Sequence, residues 1–216
     1  MNTKLLLIAG LTAGLTMQLC SPALAHTFTI TGSASPGAVI PDDNLSGLAS
    51  TISLSTPINQ ITGVQVTLDI AGGFNGDYYA YLENGSSLVV LLNNLGSNVS
   101  HPYGSPGSGF DVTFSDTGAN ISTSPMIAGS PLLGTWAPQA GSLSAFNGQN
   151  PNGNWTLFIA DTSPGGIGTL ECWGLCVTGN EVSAVPEDGS SIGAIAVGVI
   201  SLASSIRQRR RRVIPP

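Results

Sequence analysis

Apolar and polar residues alternate along the middle of this 216-residue chain. The stretch "ITGVQVTLDI", residues 61–70, shows the pattern most clearly. In an extended strand, one face would carry Val64, Val66, Leu68 and Ile70, and the other Ile61, Gly63, Gln65, Thr67 and Asp69. A period of two with one apolar face predicts a half-buried β-strand.

Further segments repeat this pattern. They read "YYAYL", "SLVVLL", "FDVTF", "WTLFIAD" and "TLECWGLCVT", with loops rich in Gly, Pro, Asn and Ser between them. The first two are separated by "ENGS", in which Asn84-Gly85 is a hairpin signal. Because no ten-residue stretch of this region has helical periodicity, we predict an all-β fold, a β-sandwich.

Two strands carry tryptophan on their apolar face. Trp155, Leu157 and Ile159 alternate with Thr156, Phe158 and Ala160. On the last strand Trp173, Leu175 and Val177 share one face. Large apolar side chains at this spacing are core residues far more often than ligand contacts, so we predict that both sets are buried.

Charge is scarce and one-sided. Charged residues make up 8% of the chain, and residues 26–184 contain ten Asp or Glu and no Lys or Arg, a formal charge of −10. Such a surface repels phosphate polyanions and attracts cations. We therefore exclude nucleic acid as a partner. By its length, about 160 residues, the region between the two ends is a single domain, residues 26–184.

The amino-terminal end has the layout of a secretory signal. Lys4 precedes an apolar run from Leu5 to Leu19, and "SPALAH" follows, with small residues at Ala23 and Ala25. We predict that residues 1–25 form a signal helix that is cleaved after Ala25. Lipidation at Cys20 is the weaker alternative, because bulky Leu19 precedes it.

The carboxyl-terminal end, residues 185–216, has three parts. "VPED" (Val185, Pro186, Glu187, Asp188) leads into an apolar stretch of residues 189–206, followed by Arg207, Arg209, Arg210, Arg211 and Arg212. Eighteen helical residues span about 27 Å, enough for a thin bilayer. Because positive charge stays on the cytoplasmic side, we predict one transmembrane helix that leaves residues 26–184 outside the cytoplasm.

This layout resembles the PEP-CTERM sorting signal of Gram-negative bacteria that make exopolysaccharide. In that signal Val-Pro-Glu-Pro precedes a weak transmembrane helix and an Arg-rich stop; here Asp188 replaces the second Pro, and "VIPP" follows the arginines. The resemblance implies recognition by an exosortase and removal of the tail. A plain membrane anchor is the alternative.

A second resemblance covers the domain itself. "LSAFNGQNPNGNWTLFIADTSPGGIGTLECWGL", residues 143–175, is similar to the end of the P domain (homoB domain) of proprotein convertases and bacterial subtilases. "ITGVQVTLDIAGGFNGDYYAYL" and "VTFSDTGA" match earlier family segments in the same order. The resemblance spans about residues 58–178 and implies a jelly-roll β-sandwich.

Catalytic groups are few. After signal cleavage the imidazoles are those of His26, at the new terminus, and His101, in the loop sequence "SNVSHPYGSPGSG". A Ser–His–Asp triad needs a framed nucleophile, and no Gly-x-Ser-x-Gly elbow surrounds any serine. We predict that the protein is not an enzyme; hydrolase activity is the least favoured alternative.

Two cysteines lie in the last predicted strand. Cys172 and Cys176 are four residues apart and so share a face, with their Cα atoms about 13 Å apart. This exceeds the roughly 7 Å limit for a disulfide, so they cannot bridge to each other from a regular strand. Pairing between molecules and simple half-burial remain the alternatives.

Aspartates at strand ends are the candidate metal ligands. Asp77 in "FNGDYY", Asp116 in "FSDTGA" and Asp161 in "IADTSPGG" each meet a Gly-containing turn, where carboxylate and carbonyl oxygens can converge on Ca²⁺. The P-domain resemblance also implies structural calcium. The alternative is that each Asp caps its own turn.

Together these patterns predict an exported bacterial surface or matrix protein with a structural or adhesive β-sandwich. A carbohydrate-binding module is the alternative, with Tyr78, Tyr79, Tyr81 or Tyr103 stacking on sugars of the extracellular polysaccharide.

Overall fold

The alternating segments form ten β-strands in the computed structural model of this chain, which describes residues 26–181. The strands are β1 (His26–Ala34), β2 (Ala38–Ile40), β3 (Leu48–Leu54), β4 (Gln60–Gly72), β5 (Tyr78–Asn84), β6 (Ser87–Asn93), β7 (Phe110–Asn120), β8 (Leu132–Ala137), β9 (Gly153–Asp161) and β10 (Gly168–Glu181). Short 3-10 helices lie at Ile121–Thr123 and Leu143–Phe146. The predicted signal helix, sorting motif and transmembrane helix lie outside the described residues.

The strands form two sheets, which confirms the all-β prediction. One sheet has the order β1-β10-β4-β7-β8, with β2 beside β10, and the other has the order β3-β9-β5-β6. Neighbouring strands are antiparallel except for β7 and β8, which are parallel. None of the helices within residues 26–181 has the length and hydrophobicity needed to span a bilayer.

The predicted core faces are buried between the sheets. Trp155, Leu157 and Ile159 are fully buried, and the apolar face of β10 is at most 3% exposed. The two tryptophan N–H groups are satisfied inside this core. Trp155 Nε1 donates to the Pro151 carbonyl oxygen (2.9 Å), and Trp173 Nε1, on β10, donates to Ser50 Oγ of β3 (2.8 Å). The second bond joins one sheet to the other.

The hairpin predicted at Asn84-Gly85 is confirmed. β5 and β6 pair antiparallel with Asn84 opposite Ser87, and Gly85 adopts φ +59°. A positive φ at this position is the reason glycine is favoured there.

The strand of residues 61–70 follows the predicted alternation at all but one position. Val64, Val66, Leu68 and Ile70 are at most 7% exposed, as predicted. Ile61, however, is 1% exposed, although simple alternation places it on the outer face. The cause is a register shift in the β4–β10 ladder, where Gly63 pairs with Thr178 but Ile61 pairs with Gly179. An extra residue at a bulge reverses the side-chain direction beyond it.

Candidate metal centre

Pairing of β5 with β9 brings two of the predicted aspartates to the same end of the sandwich. Tyr78 is opposite Asp161, so Asp77, the residue before β5, lies beside the last residue of β9. Thr162 fixes this arrangement, since both its backbone N–H (2.9 Å) and its hydroxyl (2.8 Å) donate to the Asp77 carbonyl oxygen. Two carboxylates therefore share one corner of the fold.

The loop between β2 and β3 adds two more carboxylates. Asp42 Oδ1 accepts a hydrogen bond from the Gly165 backbone N–H (3.1 Å), and the Asn44 N–H donates to the Asp161 carbonyl oxygen (2.8 Å). Burial is the main cause of the raised pKa of Asp161, and electrostatic repulsion from Asp42 and Asp43 adds to it. We refer to Asp42, Asp43, Asp77 and Asp161 as the acidic corner. Asp42 and Asp43 were missed because nothing in "PDDN" indicates contact with a strand 120 residues away.

Asp161 is the most buried carboxyl group of the acidic corner. Its side chain is 0% exposed, Oδ1 accepts from the Ser163 backbone N–H (3.2 Å), and Oδ2 has no hydrogen-bond partner among the described residues. Burial raises the pKa of Asp161 to about 6, with further contributions from Asp77, Asp42 and Asp43. An unpaired buried carboxylate oxygen is costly, and a proton or a cation would offset that cost.

Asp77 has a similar environment. It is 5% exposed, and burial raises its pKa, followed by repulsion from Asp42; a hydrogen bond from Ser163 acts in the opposite direction. No Lys or Arg occurs between residues 26 and 184 to neutralise the pair. A counter-charge for the acidic corner must come from outside this domain.

The oxygen donors of the acidic corner suit a hard cation. Ca²⁺ takes oxygen ligands in a flexible arrangement, and Asp77 and Asp161 offer carboxylate oxygens. Their own backbone carbonyl oxygens already accept hydrogen bonds from Thr162 and Asn44. Among residues 26–181 no group of three or more His, Cys, Asp and Glu side chains has the arrangement of a metal site. A bound Ca²⁺ would thus draw on carbonyl, hydroxyl or water oxygens in addition to the carboxylates of Asp161 and Asp77.

Asp116 lies elsewhere. Its carboxylate accepts hydrogen bonds from the backbone N–H groups of Leu143 (2.8 Å) and Ser144 (2.8 Å) and from the Ser142 hydroxyl (2.6 Å). These residues begin the 3-10 helix Leu143–Phe146. The structure does not bring Asp116 into the acidic corner. Asp116, on β7, instead caps a turn that lies about 26 residues later in the chain.

The four tyrosines proposed for sugar stacking occupy different environments. Tyr78 is fully buried, so it cannot contact a sugar; its neighbour β9 and the loop before β5 enclose it. Tyr81 stacks on Phe158 on the outer face of the β3-β9-β5-β6 sheet, with ring centroids 4.9 Å apart, and Tyr79 contacts Tyr81 edge-on at 6.2 Å. Tyr103 is 84% exposed in the loop between β6 and β7. The alternation in β9 could have identified Phe158, since it places that ring outside.

The other reactive groups are not assembled into a site. His101 is exposed in the loop between β6 and β7, and its backbone N–H donates to Asn98 Oδ1 (3.0 Å). Cys172 and Cys176 are both free thiols and half-buried on the outer side of β10, as their spacing predicts. The Cys172 thiol points to Asp69 Oδ2 (3.9 Å), and burial followed by repulsion from Asp69 raises its pKa.

The two sheets place this chain among the all-β proteins. A comparison with family profiles then identifies its family. The profile of the proprotein convertase P-domain matches residues 61–177, more than half of the chain. The chain belongs to the P-domain family. Among curated proteins, none matches the sequence.

Two solved structures of a serine protease align with part of this chain. The serine protease of Aeromonas sobria aligns in its complex with the chaperone ORF2 (16% identity, TM-score 0.48) and alone (15% identity, TM-score 0.46). These alignments cover 73% and 74% of this chain, but 28% of the protease chain in each case. This chain therefore spans little more than a quarter of the protease.

Proposed function

We propose that this protein is an exported, non-catalytic P-domain module with a structural or adhesive role at the bacterial cell surface or in the extracellular matrix. The observation that carries the proposal is the P domain itself, because P domains are non-catalytic modules of proteases. The ten carboxyl groups and the absence of Lys and Arg across residues 26–184 also suit an extracellular, cation-rich setting.

Export and sorting are the second part of the proposal. The signal segment, residues 1–25, directs export, and the tail from Val185 holds the domain in the membrane until an exosortase-type enzyme releases it to the surface or matrix. The test is the intact mass of the protein in membrane and released fractions. A released species that begins at His26 and ends near Val185 supports sorting, whereas a membrane species that still ends at Pro216 makes the tail a plain anchor.

We also propose that Ca²⁺ binds at the acidic corner and stabilises the domain. Asp161 and Asp77 are the proposed ligands; Asp116, the third sequence candidate, serves instead as a turn cap. At a hundredfold excess over Kd, a ligand of the folded state adds about 2.7 kcal/mol, or about 5–10 °C in Tm for a domain of this size. Melting with calcium and with chelator tests this, and an unchanged Tm rules the site out.

The finer fold assignment, a jelly roll, is supported by the order of strand pairs. Four antiparallel pairs are nested in chain order, so that each pair encloses the next along the chain. They are β1–β10, β3–β9, β4–β7 and β5–β6. Such nesting distributes successive pairs between two sheets, as a jelly roll requires.

Carbohydrate binding is the second candidate function, and exposed aromatic rings favour it. Tyr103 is largely exposed, and the Tyr81–Phe158 pair presents its rings on an outer sheet face. Retention of the protein on an array of extracellular oligosaccharides would support this function over a purely structural one. Hydrolase activity is the least favoured candidate; it fails if broad peptide and ester substrates show no turnover, or if His101→Ala leaves any turnover intact.

A further inference from the structure

A cleft next to the acidic corner has the walls of a ligand site. It has a volume of about 370 Å³, and its lining residues are Phe74, Asp77, Tyr103, Gly104, Ser105, Pro106, Ser163 and Pro164. Small-molecule sites usually have volumes of about 300–1,000 Å³, and they combine apolar walls with a few well-placed polar groups. The cleft is formed by the β4–β5, β6–β7 and β9–β10 loops, which are the loops beside Asp161 and Asp77.

Backbone hydrogen bonds hold these loops in place. The Gly76 N–H donates to the Ser105 carbonyl oxygen (3.0 Å), and the Ser105 N–H donates to the Leu95 carbonyl oxygen (2.7 Å). The two loops approach so closely that a Cβ on Gly104, whose φ is +67°, would lie 2.8 Å from the Gly76 Cα. A preformed cleft reduces the entropy lost when a ligand binds.

The cleft offers two kinds of surface. Phe74 (44% exposed) and Tyr103 (84% exposed) present aromatic rings, and two prolines add further apolar wall. Asp77 supplies a carboxylate acceptor, and the half-buried Ser163 supplies a hydroxyl, whereas Ser105 is 2% exposed and forms the back of the cleft. The C–H faces of a sugar ring match the aromatic walls, while its hydroxyls match a mixed set of donors and acceptors.

Charge narrows the class of ligand. No Lys or Arg lies among residues 26–181, and the acidic corner adjoins the cleft, so phosphate, sulfate and uronate groups are repelled. An ammonium group would use the carboxylate and the rings but has no acceptor for the Ser163 hydroxyl. We propose that this cleft, with Tyr103 and Phe74 as stacking residues, binds a neutral sugar unit of an extracellular polysaccharide. The inference rests on the carbohydrate-binding candidate above and specifies where that binding occurs.

Binding to immobilised oligosaccharides, followed by titration calorimetry with a retained neutral oligosaccharide, tests the inference on the protein as it is purified from its native cells. Tyr103→Ala should weaken binding about tenfold or more, and Tyr103→Phe should retain it, because the ring and not the hydroxyl makes the contact. Tyr81→Ala tests the competing surface on the outer sheet face. Val39→Ala, which truncates an exposed side chain of β2 that does not line the cleft, is the control and should leave affinity unchanged. Because Tyr103 is largely exposed, its variants should have the same Tm as the wild type.

Different outcomes would contradict the location of the binding site and the carbohydrate-binding function itself. If neutral oligosaccharides bind and Tyr81→Ala weakens them while Tyr103→Ala does not, carbohydrate binding stands and the cleft is the wrong place. If nothing but uronic-acid oligosaccharides or poly-lysine is retained through Tyr103, the cleft binds a different chemistry and the sugar assignment is wrong. If no oligosaccharide is retained at all, the carbohydrate function and this inference both fail.

Discussion

The hydroxyl oxygen of Tyr78, on β5, lies 1.8 Å from the position that a Cβ on Gly168, at the start of β10, would occupy. The same oxygen donates a hydrogen bond to the Gly72 carbonyl oxygen at 3.2 Å. Tyr78 therefore reaches from one sheet to the strand ends of the other, and Gly168 is required because any side chain there would collide with the phenol.

Gly168→Ala should lower the free energy of unfolding by about 1–3 kcal/mol, the usual cost of overpacking a core. Tyr78→Phe should recover part of that loss in the double variant, since the next ring atom, Cζ, is 3.0 Å from the new Cβ. Urea unfolding of both single variants and the double variant gives the coupling energy. Gly63→Ala is the control, because its Cβ would meet nothing closer than 4.0 Å; additive effects at Gly168 and Tyr78 would contradict the steric account.

The raised pKa of Asp161 predicts a pH dependence for the calcium-free protein. The ordinary pKa of this group is 3.8, and in the folded state it is about 6. Between these values the folded state binds more protons than the unfolded state, so the free energy of unfolding should fall as pH rises from about 4 to about 6. At 1.36 kcal/mol per pKa unit, the loss is about 3 kcal/mol at most.

Asp161→Asn should remove this loss, because the amide has nearly the same shape and no charge. In chelator at pH 7 the variant should be more stable than the wild type, and calcium should no longer raise its Tm. Urea unfolding at pH 4.5, 5.5 and 7, with and without calcium, measures both effects. Asp111→Asn, on the exposed face of β7, is the control; equal pH slopes for wild type and Asp161→Asn would show that Asp161 is not the group responsible.

Asp116 gives the contrasting case. Asp116→Ala removes the acceptor for two backbone N–H groups and one hydroxyl at the 3-10 helix Leu143–Phe146, and should cost about 0.5–2 kcal/mol. The calcium-induced shift in Tm should be the same as in the wild type. Thermal melts with calcium and chelator decide between a cap and a ligand, since a lost calcium response would return Asp116 to the candidate metal ligands.

The sequence pattern predicted the strands whose apolar residues alternate without interruption. Trp155 and Trp173 were correctly assigned to the core because a period of two leaves them one possible face. Ile61 was misassigned, because a bulge depends on how β10 pairs and not on the local sequence. The strands β1, β2, β3 and β8 were not identified; in "HTFTITGSA", for example, Phe28 and Ile30 alternate with Thr, but Gly32 and Ala34 leave the rest of that face small and the pattern short.

Only two of the four residues of the acidic corner were predicted, again because a contact between distant segments cannot be inferred from the local sequence. Asp77 and Asp161 follow a local rule, since each lies where a strand meets a Gly-containing turn. Asp42 reaches them through a contact with Gly165, which is far away in sequence, and only the fold brings the two together. Tyr78 was taken for a surface ring because "YYAYL" has tyrosine on both faces, and the sequence does not say which face is inside.

The thiol of Cys172 provides a last test, of the electrostatics of the outer sheet face. Burial raises its pKa, with repulsion from Asp69, Asp111 and Glu171 in that order, so the reactive thiolate is scarce at neutral pH. Asp69→Asn should therefore speed iodoacetamide labelling of Cys172 at pH 8, and Asp111→Asn should do so less. Peptide mass analysis after timed labelling distinguishes Cys172 from Cys176, which is the internal reference. If both variants label Cys172 at the wild-type rate, burial alone governs the thiol and the neighbouring carboxylates have no influence on it.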